Sequence, residues 1–207
     1  MDKSAKTHIN TVCCDIMTAG VLKTIKNPKR YTFLLGRNEL MRLRSLELMD
    51  AEPMLEWMHD QSVVEKLQTN FAEKTIDDCR SFIEHSQDEE NIHLAITDDD
   101  SNYMGTVSLK HITKDTAEFA ITISKKAMGK GYSIWAMHQI IDMAFQKYNV
   151  SNVYWCVATG NLRALRFYDK NNFPRVSADA IKIAGGYTKE QIDSYVWYQV
   201  SRSEGKS

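Results

Sequence analysis

The chain has 207 residues, 43% of them hydrophobic and 26% charged, with a formal net charge of −1, which suits one full-sized domain and gives no bulk electrostatic pull toward nucleic acid. No apolar run reaches the roughly 18–20 residues of a membrane span, and no apolar segment follows Lys3 and Lys6 as a leader would require, so a soluble cytoplasmic protein is expected. The four cysteines (Cys13, Cys14, Cys79, Cys156) and six histidines show neither CxxC nor HExxH spacing, so free thiols and no metal site are expected.

Residues 1–37 lack a clean hydrophobic period and read as an N-terminal extension, with a short helix over 12–24 as one option and a break at Asn27 and Pro28. Residues 31–35 suit a short strand and Gly36, Arg37 and Asn38 a turn. Leu40, Arg42 and Arg44 then alternate with Met41, Leu43 and Ser45, which predicts a half-buried strand over 40–46. Asp50 can cap a helix, Pro53 lies near its start, and Leu55, Trp57 and Met58 form its apolar side. A second short helix is expected over 63–68. Thr75 and Asp78 resemble a capping box, opening a helix whose Ile76, Cys79, Phe82 and Ile83 form one stripe.

A meander follows, with strands over 91–97, 103–110 and 116–124 and turns at 98–102 and at Lys114 and Asp115. In its third strand Ala117, Phe119, Ile121 and Ile123 face one way, and Glu118, Ala120 and Thr122 the other. Ile134, Met137, Ile141, Ala144 and Tyr148 then recur at helical spacing. A strand over 153–158, a helix over 161–170 and a hairpin of 176–184 with 194–201, joined through Gly185 and Gly186, complete the pattern. It predicts one α/β domain over 38–202, built on a mixed, mostly antiparallel sheet, with a flexible tail over 203–207.

The stretch richest in chemistry is Lys126, Ala127, Met128, Gly129, Lys130, Gly131, Tyr132 and Ser133, which joins a strand directly to an amphipathic helix. The glycines allow a tight turn, and the first N–H groups of a helix lack internal partners and carry partial positive charge. Such a helix start can cradle a pyrophosphate, and Lys126 and Lys130 add charge. The spacing is neither a dinucleotide fingerprint nor a Walker loop, so by itself it is equally a plain glycine turn.

With its surroundings the loop resembles the core of the GNAT N-acetyltransferase superfamily, whose loop runs Gln/Arg-x-x-Gly-x-Gly/Ala. Gly129 and Gly131 match, and Lys126 stands where Gln or Arg is usual. Asn161, Ala164, Phe167, Tyr168 and Phe173 resemble a second family signature, in which Asn172 replaces the usual glycine; Asn tolerates a left-handed turn better than most residues. Met41, Arg42, Leu43 and Arg44, with the stretch from Asp50 to Trp57, resemble the branch of ribosomal-protein N-terminal, spermidine and amino-sugar acetyltransferases.

This resemblance implies acetyl transfer from acetyl-CoA to an amine by direct attack on the thioester. It places the cosubstrate at Ile121, Thr122, Ile123, Lys126, Met128, Gly129, Lys130, Gly131, Tyr132, Ser133, Asn161 and Phe167, where neighbouring strands splay apart. Main-chain groups of Ile121 and Ile123 would hold the pantetheine arm. Tyr168 is the candidate general acid for the leaving thiolate, with aromatic packing as the alternative; its ordinary pKa of about 10 keeps it protonated at neutral pH. Asn161 can serve the pantetheine, cap its helix, or do both. Glu118 is the candidate base, with an exposed strand glutamate as the alternative. Tyr132 and Trp135 can flank the adenine or pack in the core, and Cys156 reads as a small hydrophobe.

By the same resemblance Trp57, His59, Asp60, Phe71, Glu73, Tyr187 and Tyr195 fall on the acceptor side. These acidic and aromatic groups suit an amino sugar, a polyamine or a peptide N-terminus; analogy leans to a small amine or a nucleotide-linked amino sugar. A homodimer is compatible with the sequence. The rival readings are a catalytically inactive CoA-binding module and an unrelated nucleotide-binding domain.

Overall fold

The computed structural model describes residues 33–35, 39–65, 67, 70–183 and 187–202. The helix expected over 12–24, the turn at 36–38 and the Gly185–Gly186 connection lie outside the described residues.

The strands are β1 (Phe33–Leu35), β2 (Glu39–Ser45), β3 (Ile92–Thr97), β4 (Tyr103–Lys110), β5 (Thr116–Ile123), β6 (Asn152–Ala158), β7 (Arg175–Val176) and β8 (Tyr195–Ser201). They form one eight-stranded sheet in the order β1-β2-β3-β4-β5-β6-β8-β7. Every pairing is antiparallel except that of β5 with β6. The parallel neighbours are connected through α4 (Tyr132–Gln146), the long crossover such a pair requires. The mixed, mostly antiparallel sheet expected from the sequence is therefore present, and the meander strands fall within one residue of their expected bounds.

The helices on the first half of the chain are α1 (Ala51–Met58), α2 (Gln61–Val64) and α3 (Ile76–Glu84); α5 (Leu162–Lys170) and α6 (Lys189–Ser194) follow β6. One sheet face carries the largest core. There Ala117, Phe119 and Ile123 of β5 and Val153, Trp155 and Val157 of β6 meet Trp135, Met137 and Ile140 of α4 and Leu165 and Tyr168 of α5. Burying each large apolar side chain of this kind contributes roughly 1.5–3 kcal/mol. On the other face Met54, Trp57 and Met58 of α1 pack with Cys79 and Ile83 of α3 over Ala95 and Tyr103. A smaller cluster of Tyr154, Ile181 and Trp197 covers the β6–β8 end, with Cys156 and Tyr187 packed against it.

Several expected details differ. The Asp50 carboxylate does not cap α1. Asp50 already has helical dihedrals at the end of a 3-10 turn (Leu48–Asp50), so its side chain points back, accepts the Glu47 N–H at 2.9 Å and takes a bidentate Arg44 guanidinium at 2.6 and 2.8 Å. The helix expected over 63–68 starts earlier, at Gln61, because Asp60 accepts the Ser62 N–H as its cap. Thr75 and Asp78 do form the reciprocal capping box. Phe82, expected in the α3 stripe, instead stays 37% exposed and rests against the His93 ring, 4.7 Å between centroids. The C-terminal hairpin is also shorter than expected. Its first strand is only Arg175–Val176; a 3-10 turn (Ala178–Ala180) falls in the span expected as strand, and α6, capped by Thr188 with Gln191, lies in the connection before β8. The Thr188–Gln191 capping box marks the start of α6 in a connection expected to carry only a glycine turn.

Candidate active site

The β5–β6 ladder is short. Thr116, Ala117 and Glu118 pair with Asn152, Val153 and Tyr154, and the pairing then stops. Beyond that point β5 stays with β4 as far as Ile123, while β6 stays with β8 as far as Ala158. The two strands therefore open into a gap. Ser124 N–H bonds the Met104 carbonyl at 2.9 Å, and in an antiparallel ladder alternate residues bond the same neighbour. The even-numbered residues of β5 thus face β4, and the N–H groups of Ile121 and Ile123 are directed into the gap, beyond the last β6 pairing.

At the mouth of the gap a 3-10 turn (Lys125–Ala127) leads to Gly129 and Gly131, both left-handed, with φ of 75° and 89°. A Cβ at Gly129 would meet nothing within 4 Å, so its glycine is required by conformation and by open approach rather than by packing. The first bond of α4 runs from Trp135 N–H to the Gly131 carbonyl at 3.2 Å, which leaves the Ser133 and Ile134 amides without partners inside the helix. Lys126 and Lys130 are exposed beside this turn. The Lys125 ammonium lies 3.3 Å from Asp60.

Of the expected cofactor residues, Ile121, Ile123 and those from Lys126 to Ser133 follow one another from the gap to the start of α4, whereas the Thr122 main chain is directed to β4 and Asn161 and Phe167 belong to α5. Met128 is half-buried against the main core. The Tyr132 ring, 2% exposed, and Trp135 lie inside that core, so packing is the role their side chains show. Asn161 accepts the Ala164 N–H at 3.1 Å and so caps α5, which leaves its amide nitrogen able to donate. Asn172 adopts φ of 59° after α5, as the departure from glycine requires.

Tyr168 and Glu118 flank the gap from opposite faces of the sheet. Tyr168, 6% exposed, packs against Trp155, Tyr198 and Phe167 with ring centroids 5.3, 5.1 and 5.1 Å away. Burial, then the neighbouring Tyr198 and Cys156, push its pKa well above the usual tyrosine value, so it holds its proton at neutral pH. Glu118 is 3% exposed, which removes the exposed-glutamate alternative. Its Oε1 takes the Lys110 ammonium at 2.6 Å and a hydrogen bond from the Tyr187 hydroxyl at 2.9 Å. Its Oε2 accepts no hydrogen bond, and His111 Nε2 stands 3.9 Å from it. Neither Lys110 nor His111 was singled out by the sequence. Lys110 is, however, the β4 residue opposite Glu118 in the ladder, so the cross-strand register carries that contact.

Of the expected acceptor-side residues, Trp57 is buried and donates its indole N–H to Tyr103 at 3.0 Å, and Phe71 packs edge-on against it. His59 Nε2 meets the Lys74 carbonyl at 2.9 Å. Tyr187 and Tyr195 pack edge-on against Trp197 over the β6–β8 end. Glu73 is exposed. Among the described residues no cluster of His, Cys, Asp or Glu can hold a metal ion, and no helix is long and apolar enough to cross a membrane.

Residues 41–174 match the acetyltransferase (GNAT) domain. The chain belongs to the GNAT acetyltransferase family. It is an N-acetyltransferase that uses acetyl-CoA as cosubstrate. The spermidine N(1)-acetyltransferase of Vibrio cholerae is 25% identical over 142 residues, covering 66% of this chain and 80% of that protein. The crystal structure of the Vibrio cholerae spermidine N-acetyltransferase with CoA and spermine superposes with a TM-score of 0.64 at 21% identity, over 79% of this chain and 96% of that one. A GNAT-family acetyltransferase from Bacillus anthracis gives 0.62 at 19% identity, over 79% and 96%. The GNAT fold accounts for the parallel β5–β6 pair and the gap it opens.

Proposed function

We propose that the protein acetylates a primary amine, on a small molecule such as an amino sugar or polyamine or on a peptide N-terminus, by direct attack of the amine on the thioester in the β5–β6 gap. The observation that carries this reading is the end of the ladder at Glu118 and Tyr154, which frees main-chain groups of Ile121 and Ile123 beside a helix start with unpaired amides.

Acetyl-CoA supplies the activated acyl carbon and a thiolate leaving group. The amides at Gly129, Gly131, Ser133 and Ile134 bind its diphosphate, assisted by the helix dipole and by Lys126 and Lys130. The Ile121 and Ile123 main chains and the Asn161 amide nitrogen align the pantetheine arm. An amide facing the gap, that of Ile121, stabilises the oxyanion that develops on the thioester carbonyl. The bond from nitrogen to carbon forms and the carbon–sulfur bond breaks. Glu118 Oε2, its acceptor capacity unused, takes the proton lost by the amine, directly or through one water. Tyr168, which keeps its proton at neutral pH, delivers a proton to the departing thiolate. Cys156 forms no acyl intermediate in this scheme.

Thiol release from acetyl-CoA across a panel of amines tests the reading. Turnover that requires both an amine and acetyl-CoA is expected. CoA binding with no turnover on any amine would replace it with a regulatory module, and failure to bind CoA alongside binding of another nucleotide would replace it with an unrelated nucleotide site.

A further inference from the structure

A base that takes a proton from the amine must lose it to water before the next turnover, and Glu118 has few exits. The residue is 3% exposed. Its Oε1 is held by the Lys110 ammonium at 2.6 Å and by the Tyr187 hydroxyl at 2.9 Å. An ammonium has no lone pair with which to accept a proton. The Tyr187 hydroxyl already donates to Oε1 and lies 3.6 Å from the Cys156 thiol; burial, then the Glu118 charge, keep its own proton bound. Oε2 is buried and accepts no hydrogen bond. Among the described residues the ionisable group that meets Oε2 is His111, whose Nε2 is 3.9 Å away and whose side chain is 40% exposed. The imidazole thus stands between a buried carboxylate oxygen and water. Its place is fixed by the backbone. His111 follows β4 directly with a left-handed φ of 50°, its N–H bonds the Asn91 side chain at 3.3 Å, and the next N–H, of Ile112, bonds the Glu90 carbonyl at 2.8 Å. A left-handed residue with a Cβ persists only where its surroundings hold it.

We propose that His111 carries the proton from Glu118 to solvent in each turnover and so resets the base. The proposal rests on the acetyl-transfer reading above and extends it. With Glu118 ionised, Oε2 and an unprotonated Nε2 are both acceptors and stand apart. Once Oε2 has taken the amine proton, the pair becomes donor and acceptor. The O–H bond then breaks as an N–H bond forms at Nε2, directly or through one water, and the imidazolium gives a ring proton to solvent. The proton that left the amine ends in water, Glu118 is again a carboxylate and His111 is again neutral. An imidazole is more basic than a carboxylate, so the first transfer is favourable, and it titrates near neutral pH, so the second is too. In this scheme His111 touches neither acetyl-CoA nor the amine and acts through Glu118.

Thiol release from acetyl-CoA at neutral pH in dilute buffer tests the relay, with spermidine, glucosamine or alanine amide as acceptor, whichever the wild-type enzyme turns over fastest. His111→Gly suits the left-handed backbone and leaves room for a free imidazole, and His111→Asn keeps the turn with a side chain that carries no proton. Both should lower kcat by about tenfold or more while CoA affinity changes by less than about threefold. Added imidazole should restore most of the lost kcat in His111→Gly and leave the wild-type rate unchanged. In a Glu118→Gln background, His111→Gly should lower kcat by less than about twofold further, because the group it serves is gone. Undiminished kcat in both His111 variants, a loss in folded His111→Gly that imidazole does not restore, or a further tenfold loss in the Glu118→Gln background would each overturn the relay and leave acetyl transfer standing. Glu118→Gln with undiminished kcat would remove the base and the relay together. No thiol release by the wild-type enzyme with any amine would instead remove the acetyl-transfer reading, and this proposal with it.

Discussion

Gly129 separates the charge of the proposed diphosphate site from its shape. Its φ of 75° penalises any side chain, and a Cβ there meets nothing within 4 Å, so substitution strains the turn without a clash. Asn and Asp are nearly isosteric, and each adopts left-handed dihedrals at a cost on the order of 1 kcal/mol or less. Gly129→Asn therefore measures the backbone effect, and Gly129→Asp adds one negative charge. With that carboxylate roughly 5 Å from the diphosphate, at an effective dielectric of about 40 for an open cleft, the repulsion is about 1.5–2 kcal/mol per unit of diphosphate charge. CoA should bind Gly129→Asp about 10–30-fold more weakly than Gly129→Asn, and the difference should shrink in about 1 M salt as the charges are screened. Calorimetric titration of both variants with CoA measures it, and thermal unfolding should show them equally stable. Equal affinity in the two variants would refute the placement of the diphosphate.

Other outcomes follow from contacts elsewhere in the site and the sheet. Tyr168→Phe should lower kcat by about 10²-fold or more while CoA affinity changes by less than about threefold, the pattern of a lost proton donor; equal losses in both would reduce Tyr168 to a packing residue. Gly105→Ala should lower the melting temperature sharply, because the new Cβ would overlap the Thr122 carbonyl oxygen across the β4–β5 ladder, and a loss of about 2 kcal/mol or more is expected. His93 bonds Ser108 and is held down to a pKa of about 4, first by burial and then by nearby Lys110. The unfolded chain protonates this histidine near 6.5, so between pH 6.5 and 4 the unfolded state binds more protons than the folded one, and stability falls as pH drops through that window. Discounted for partial exposure, the loss is about 2 kcal/mol, and chemical denaturation of His93→Gln should show a correspondingly flatter acid slope.

Which features were legible in the sequence follows from the range of the interactions behind them. The meander strands and the stripe of α4 rest on local periodicity, and Thr75 with Asp78 on a local cap, so each reads directly from the chain. The glycine pair and Asn172 read because positive φ restricts residue choice at single positions. The surroundings of Glu118 did not, since Tyr187 reaches it across 69 residues. Asp50 was misplaced for a similar reason: a carboxylate at a helix start is ordinarily a cap, and only the fold brings Arg44 round to claim both of its oxygens. The short β7 escaped because the apolar run after it, including Ile181, packs on Tyr154 and Trp197 without forming a ladder.

A crystal structure with bound acetyl-CoA bears most directly on the whole account. The diphosphate should lie within hydrogen-bond distance of the main-chain amides between Gly129 and Ile134, with the thioester between β5 and β6 beside Ile121. Coenzyme density on another face of the sheet, with the start of α4 contacting only protein, would contradict it.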